Sequence, residues 1–332
     1  MTGPAASELA EPLTRALSEH FSAAAELTAV RPLSGGASRE ILAVEATVGG
    51  AERRFVLRRD PGERSESSRE EEFDLVAAAH RHGVPVPEPF FALDPGAGVG
   101  SGFLMERVDG ETVGPRILRS EELAGARAGL AAECGAALAR IHAIPLEEVE
   151  FLGGDREGPA LAQLDEWQGI LDGIGEPHPV LELALRRLRA RLPEAAAVGV
   201  VHGDFRNGNL IVGPEGLRAV LDWELAHAGD PMEDLGWVCV RAWRFGRPDL
   251  PVGGFGTREQ LFAAYEEVSG SAVDPEAVRF WELFGNLKWA VICLMQAQAH
   301  LSGAQRSMEL AAIGRRACEP EWELLEMLEG AA

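Results

Sequence analysis

The chain has 332 residues, 46% of them hydrophobic and 25% charged, enough for about two domains of ordinary size and close to the averages for globular proteins. Its formal net charge of -22 at pH 7 argues against nucleic acid and anionic membranes as partners, because both would repel it at long range. Of the 31 basic residues only Lys288 is a lysine, a bias that coding in a GC-rich genome accounts for.

Apolar residues at Leu9, Leu13, Leu17 and Phe21 recur at helical spacing, so the chain is expected to open with an amphipathic helix. Strands follow: Leu27 to Leu33 leads into Ser34-Gly35-Gly36-Ala37-Ser38, Ile41 to Val48 is a β-branched run, Gly49-Gly50 is a hairpin signal, and Phe55-Val56-Leu57 starts the next strand. A charged helix is expected over 65–82, closed by Gly83 and the Pro85/Pro87 pair. Phe90 to Leu93 and Phe103 to Val108 complete five candidate strands. Helical patterns then dominate, over Glu121 to His142, Leu161 to Ile174 and Pro179 to Leu192, and onward from Pro231, Arg258, Pro275 and Ser302. The clear β signal in this half is Leu210-Ile211-Val212, a Gly-Pro-Glu-Gly turn, and Ala219-Val220-Leu221. The organisation expected is α+β, with a β-rich lobe over 1–108 and a larger, mainly helical lobe over 109–332.

The run His202-Gly203-Asp204-Phe205-Arg206-Asn207-Gly208-Asn209 fits the H-x-D-x-x-x-x-N pattern of a kinase catalytic loop. Phosphoryl transfer needs a carboxylate to take the proton of an attacking hydroxyl, here Asp204, and an amide oxygen to hold magnesium, here Asn209. The second strand of the following hairpin ends in Asp222-Trp223-Glu224, where a kinase places its second metal-binding Asp. A carboxylate at that strand end is expected to face a cleft, since burying it unpaired would be expensive. Glu224 either supports a second magnesium or faces water. In GDPMEDLGW, Asp230 suits a helix N-cap, Pro231 the first helical position, and Glu233 the third residue after the cap.

The segments VVHGDFRNGNLIV, LDWE and GDPMEDLGW resemble the aminoglycoside phosphotransferase and choline kinase superfamily, and GRRACEPEWELLEML is similar to a subgroup that includes the kinase-like domain fused to some acyl-CoA dehydrogenases. The resemblance implies a protein-kinase-like bilobal fold, ATP and Mg2+ as cofactors, Asp204 as base, and Asn209 and Asp222 as metal ligands. It also implies that Asp234 steadies the catalytic loop, with His202 as a packed support rather than a proton carrier.

Ser34, Gly35, Gly36, Ala37 and Ser38 lie where a phosphate-covering loop belongs, because glycine lets backbone N–H groups approach phosphate oxygens; a plain turn would read the same way. Kinases end the next strand with a lysine that bridges the α- and β-phosphates and a helix glutamate. Here Arg58 stands there, a permanently charged bidentate donor able to pair with phosphates, with Glu72 as its expected helix partner and Glu71 the neighbouring choice. Adenine is expected to stack near Met105, Glu106 and Val108 and to pair with backbone groups there.

Arg241 and Arg244 flank Trp243 and could hold an anionic group on the acceptor, whereas the acidic chain as a whole would attract cationic aminosugars. Three readings stay open: a kinase of a small-molecule hydroxyl, a protein kinase, and a pseudokinase that binds nucleotide or a partner without turnover. LDWE in place of D-F-G and the lack of an A-P-E segment disfavour the second. Cys134, Cys239, Cys293 and Cys318 form no C-x-x-C pair and lie in apolar stretches, so buried thiols in a reducing cytosol are expected. The first residues have no basic start followed by an apolar core, and Trp289 to Met295 is too short to span a bilayer, so the expected location is cytoplasmic.

Overall fold

The computed structural model describes residues 4–35, 40–60, 69–93 and 100–330, and its contacts divide the chain into two units, Met1–Asp109 and Gly110–Ala332. In the first unit, strands β1 (Ala25–Gly35), β2 (Glu40–Val48), β3 (Ala51–Asp60), β4 (Pro89–Ala92) and β5 (Ser101–Glu106) form one antiparallel sheet in the order β1-β2-β3-β5-β4. The β2–β3 hairpin turns on Gly49 and Gly50 at φ of 57° and 83°, the positive values that a tight two-residue turn matching strand twist requires. Helix α1 (Pro4–His20) lays Leu9, Leu13 and Leu17 on one face of the sheet, against Leu42, Val44, Phe55, Leu57 and Leu104. Because side chains alternate along a strand, Arg58 points to the opposite face from Phe55 and Leu57. Its register partner is Phe103, whose ring meets Phe73 of helix α2 (Arg69–Arg81) at 6.0 Å.

Two expected boundaries move. Ser34 and Gly35 belong to β1, paired with Ile41 and Glu40, rather than to a loop. Strand β5 ends at Glu106, so Val108 lies beyond it. The helix expected over 65–82 is observed over Arg69–Arg81, and 65–68 lie outside the described residues.

The second unit contains α3 (Gly114–Arg119), α4 (Ala124–His142), α5 (Pro159–Ile174), α6 (Pro179–Arg189), α7 (Met232–Trp237), α8 (Arg258–Ser269), α9 (Pro275–Leu301), α10 (Met308–Gly314) and α11 (Cys318–Glu329). The helix expected from Ser302 starts at Met308, capped by Ser307. Helix α9 is the axis of this unit. Its Phe280, Trp281, Phe284, Leu287 and Val291 gather Leu164 and Trp167 from α5, Leu181 and Leu185 from α6, and Leu324 from α11. Asp274 caps α9 by accepting from the Glu276 amide at 2.9 Å, with Pro275 at the first position. Among the described residues no helix is long and apolar enough to cross a membrane.

Two small antiparallel ladders interrupt the helices. Strands β7 (Leu210–Gly213) and β8 (Gly216–Val220) form the expected hairpin, while β6 (Gly199–Val201) and β9 (His227–Gly229) form a second pair. Three-residue strands carry no readable period, which is why β6 and β9 escape sequence reading. Cys134, Cys239 and Cys293 are buried, but Cys318 is exposed. It opens α11, whose buried face is carried by Leu324 instead.

Helix α7 packs closely on α9 at Gly236, where a Cβ would lie 2.6 Å from both the Glu282 amide nitrogen and Trp281 Cβ. Overpacking of this kind costs about 1–3 kcal/mol. Gly236→Ala is therefore expected to lower the midpoint of urea unfolding by a corresponding amount, and an unchanged midpoint would show that the two helices can move apart freely.

Candidate active site

Strand β6 runs into His202, and from there to Asn209 the loop is fixed mainly by groups beneath it. The buried Asp234 carboxylate, on α7, accepts from the backbone N–H of His202 at 2.7 Å through Oδ2 and from that of Gly203 at 3.0 Å through Oδ1. His142 Nε2 on α4 donates to the same Oδ2 at 3.1 Å. Burial pushes the Asp234 carboxyl up, but the hydrogen bond and charge of His142, with His202 behind it, outweigh this and hold it below the usual carboxylate range. Gly203 adopts φ 78°, and a Cβ there would lie 2.3 Å from the Leu225 carbonyl oxygen, so only glycine fits.

The fully buried His202 is a support. Its Nδ1 accepts from the Asp204 amide at 3.2 Å, so Nε2 carries the proton and donates to the Leu221 carbonyl at 3.1 Å. Burial holds this imidazole below its ordinary pKa and therefore neutral, against the pull of Asp234. Phe205 is buried, and Asn207 Nδ2 donates to the Gly253 carbonyl at 2.7 Å. The loop's two flanking positions are thus sunk into the unit while Asp204 keeps 13% of its side chain exposed.

Three side chains orient the Asp204 carboxylate. Arg206 Nε and Trp237 Nε1 each donate to Oδ1 at 2.9 Å, and Asn209 Nδ2 donates to Oδ2 at 2.6 Å and to the Asp204 carbonyl at 3.0 Å. A carboxylate pinned on both oxygens cannot rotate away, and only part of Oδ2 remains for another donor.

Asn209 and Asp222 come from opposite strands of one hairpin end. The Leu221 amide donates to the Asn209 carbonyl at 2.8 Å, and Asp222 is the next residue, at φ 67°, a strained left-handed conformation costing about 1–2 kcal/mol. With Asn209 Nδ2 committed to Asp204, its Oδ1 is the atom left to present, so the hairpin end offers an amide oxygen and a carboxylate. Such hard oxygen donors suit magnesium, which takes few protein ligands and completes its shell with phosphates and water. Among the described residues no group of three His, Cys, Asp or Glu side chains could hold a metal ion. Glu224 is exposed.

In the first unit, Arg58 Nη1 lies 3.0 Å from Glu72 Oε1, with both side chains about nine-tenths buried. Gly36, Ala37 and Ser38 lie outside the described residues. The amides of Glu106 and Arg107 donate to the carbonyls of Glu88 and Arg54 at 2.8 Å and 3.2 Å. Sheet pairing therefore occupies two of the backbone donors expected near the adenine, whereas no carbonyl among the described residues takes the Val108 amide.

The two arginines expected to hold an acceptor anion are engaged elsewhere. Arg244 is buried, donates twice to the Cys239 carbonyl, and pairs with Glu282 at 2.7 Å. Arg241 pairs with Glu323 of α11 at 2.7 Å. Their neighbours in sequence suggest a binding patch, but burial requires Arg244 to be paired within the fold, and the half-exposed Arg241 is tied to α11. Pro231 rather than Asp230 holds the cap position of α7, while the Asp230 carboxylate accepts from the Met232 amide at 2.9 Å and its other oxygen takes Trp281 Nε1 at 2.8 Å. Glu233 does not turn back to complete a capping box; it meets His227 at 3.2 Å and Lys288 at 3.4 Å. Burial pushes Glu233 up, yet those two neighbours hold it below the usual range.

Three residues at the site were not anticipated from sequence. Trp237 lies three residues after Asp234, a spacing that puts both on one helix face, and that periodicity was the available signal. Lys288 is 3% exposed; its Nζ donates to the Gly203 carbonyl at 3.3 Å and stands over Trp237 and Trp167 at 5.0 Å and 5.5 Å. A single lysine inside an apolar helix was its only sign. Arg206 sits in the motif itself, but the pattern assigns its position no role.

Comparisons with known proteins converge. The APH family of phosphotransferase enzymes matches residues 29–271. Acyl-CoA dehydrogenase family member 10 of Mus musculus is 29% identical over 239 residues, 66% of this chain but only 22% of that protein. A solved structure from Ralstonia eutropha, provisionally named an aminoglycoside phosphotransferase, superposes with a TM-score of 0.75 at 23% identity, covering 95% of this chain and 98% of that one. Aminoglycoside phosphotransferase APH(4)-Ia, solved in a ternary complex with AMP-PNP and hygromycin B, gives a TM-score of 0.59 at 20% identity over 96% of this chain and 99% of its own. The fold is protein-kinase-like, with a small β-rich unit and a larger helical one.

Asp234→Asn would set an amide N–H against backbone N–H donors, leaving buried groups unpaired at a cost of about 1–3 kcal/mol. Because the folded carboxyl is depressed, its stabilisation is complete above the ordinary Asp pKa of about 4 and fades as pH falls through the lower folded value. Urea unfolding is thus expected to separate wild type from Asp234→Asn at pH 7, with the gap starting to narrow below about pH 4 and closing as pH falls through the folded value. A gap that persisted unchanged into acid would show that the anchor is not the ionised carboxylate.

Proposed function

The chain belongs to the APH phosphotransferase enzyme family, and from that premise we propose that it is an ATP- and Mg2+-dependent kinase that moves the γ-phosphoryl group to a hydroxyl of a small molecule. The observation that carries this reading is the Asp204 carboxylate, held on both oxygens by Arg206, Trp237 and Asn209, beside the oxygen donors of Asn209 and Asp222. Asp204 accepts the acceptor's proton and aims its oxygen. Asn209 and Asp222 hold the metal, which when bound neutralises phosphate charge. Arg58 takes the lysine's part toward the α- and β-phosphates, kept extended by Glu72 at 3.0 Å. Met105, Glu106 and Val108 border the adenine. Crystallisation of a fold neighbour with AMP-PNP supports a nucleotide.

A nucleotide-binding protein without turnover is the second reading, favoured by arginine at the lysine position. Against it, Arg58 already makes the carboxylate pair that the lysine would make.

General-base catalysis is worth ~10²–10⁴-fold, so Asp204→Asn is expected to lose about that much turnover while Mg-ATP affinity barely moves. Asp222→Ala should lose both, because the phosphate charge is then poorly neutralised. Calorimetric titration of Mg-ATP beside steady-state rates reads the two variants; near-normal turnover in Asp204→Asn, or normal Mg-ATP binding in Asp222→Ala, contradicts the assignment.

Arg58→Ala is expected to raise the KM for ATP and slow turnover. Unchanged ATP kinetics in that variant would remove Arg58 from the nucleotide site.

A further inference from the structure

Arg206 is more than a clamp on the base. Its guanidinium lies over the Trp243 ring at 4.7 Å, its Nε is bonded to Asp204 Oδ1 at 2.9 Å, and 26% of the side chain is exposed. Neither terminal nitrogen donates a hydrogen bond to any described residue. The loop makes room for this placement: Gly208 adopts φ 128°, and a Cβ there would lie 2.6 Å from Arg206 Nη1. A stacked guanidinium with one edge on the catalytic carboxylate and the other open is preorganised to receive a second anion, because its planar fork matches carboxylate geometry.

Which anion follows from the two sides of Asp204. Oδ2 faces Asn209, the metal ligand, while Oδ1 faces Arg206 and Trp237. A hydroxyl donating to the remaining lone pair of Oδ2 would have phosphates on its Asn209 side and the open edge of Arg206 on the other. We infer that Arg206 is a specificity-determining residue that binds a carboxylate on the acceptor, so that the acceptor class is hydroxy-carboxylates. This deepens the phosphotransferase reading and rests on it. In the reaction a bond forms between the acceptor oxygen and the γ-phosphorus of ATP, the bond from that phosphorus to the β,γ-bridging oxygen breaks, ADP leaves with the electron pair, and the hydroxyl proton passes to Asp204. Cationic amino alcohols would bring an ammonium against the guanidinium and be rejected, even though the chain as a whole is strongly acidic, since contact geometry outweighs a screened distant field.

The test pairs short hydroxy-carboxylates with their neutral amides and with amino alcohols of equal length, measuring Mg-ATP consumption by wild type, Arg206→Gln and Arg206→Lys, with Mg-ATP affinity by calorimetry for each. Wild type is expected to prefer the carboxylate to its amide. Arg206→Gln should slow both substrates, because it also loosens the hold on Asp204, but should lose ~10–100-fold more in kcat/KM for the carboxylate than for the amide, the usual worth of one charge-assisted pair, with Mg-ATP affinity within about twofold. Arg206→Lys should fall between, and carries the comparison if Arg206→Gln fails to bind nucleotide. A wild-type preference for amides or amino alcohols, or a carboxylate preference that survives both substitutions, overturns the inference alone. Wild type that binds no Mg-ATP overturns the phosphotransferase reading and this inference with it.

Discussion

The site depends first on one buried carboxylate. Asp234 is fully buried and takes two backbone N–H groups of the catalytic loop on separate oxygens. A buried charge is tolerated only when paired and hydrogen-bonded, so His142 must stand where it does, and with it α4. The loop cannot shift without uncovering that charge, and α7, which carries Asp234, is locked by Gly236 against α9. The position of Asp204 is thereby tied to three helices through a single buried acid that anchors the loop.

A second layer of charge sits around this anchor. Lys288, Glu233 and His227 form a buried chain in which Lys288 also holds the Gly203 carbonyl. Burial pushes the His227 imidazole down, but Glu233 raises it above its ordinary value. Removing one member of a buried pair typically costs about 3–5 kcal/mol, so the network resists piecemeal change. Its cation lies against Trp237, whose indole N–H reaches Asp204 from the other side. Anchor and network thus converge on opposite ends of the same short segment, the Gly203 backbone and the Asp204 side chain.

The fate of the arginines shows how local sequence context misleads. Arg241 and Arg244 flank a tryptophan soon after the Asp222 segment, yet both are tied to acids from distant helices, Glu323 and Glu282. Arg206, in the loop itself, stacks on that same Trp243, and its terminal nitrogens donate a hydrogen bond to no described residue. Whether an arginine is structural or available depends on which carboxylates reach it, and these partners lie 38 and 82 positions away along the chain.

Motif spacing singled out Asp204, Asn209 and Asp222, and the structure brings them together, with Asn209 bonded to Asp204 and Leu221, next to Asp222, bonded to Asn209, because a short loop and the hairpin that follows it are contiguous in the chain. Hydrophobic periodicity likewise revealed the five-stranded half and the helical half, since the periods of strands and helices are local properties. The tertiary structure decided the rest. It showed that Asn209 turns its amide nitrogen to Asp204, that Trp237 and Arg206 share Oδ1, and that the one lysine of the chain lies buried under the loop rather than at the position where kinases carry theirs. It also added β6 and β9, too short to show a period. Those features arise from contacts between residues tens of positions apart, and a buried charge finds its partner through packing, which no local pattern encodes.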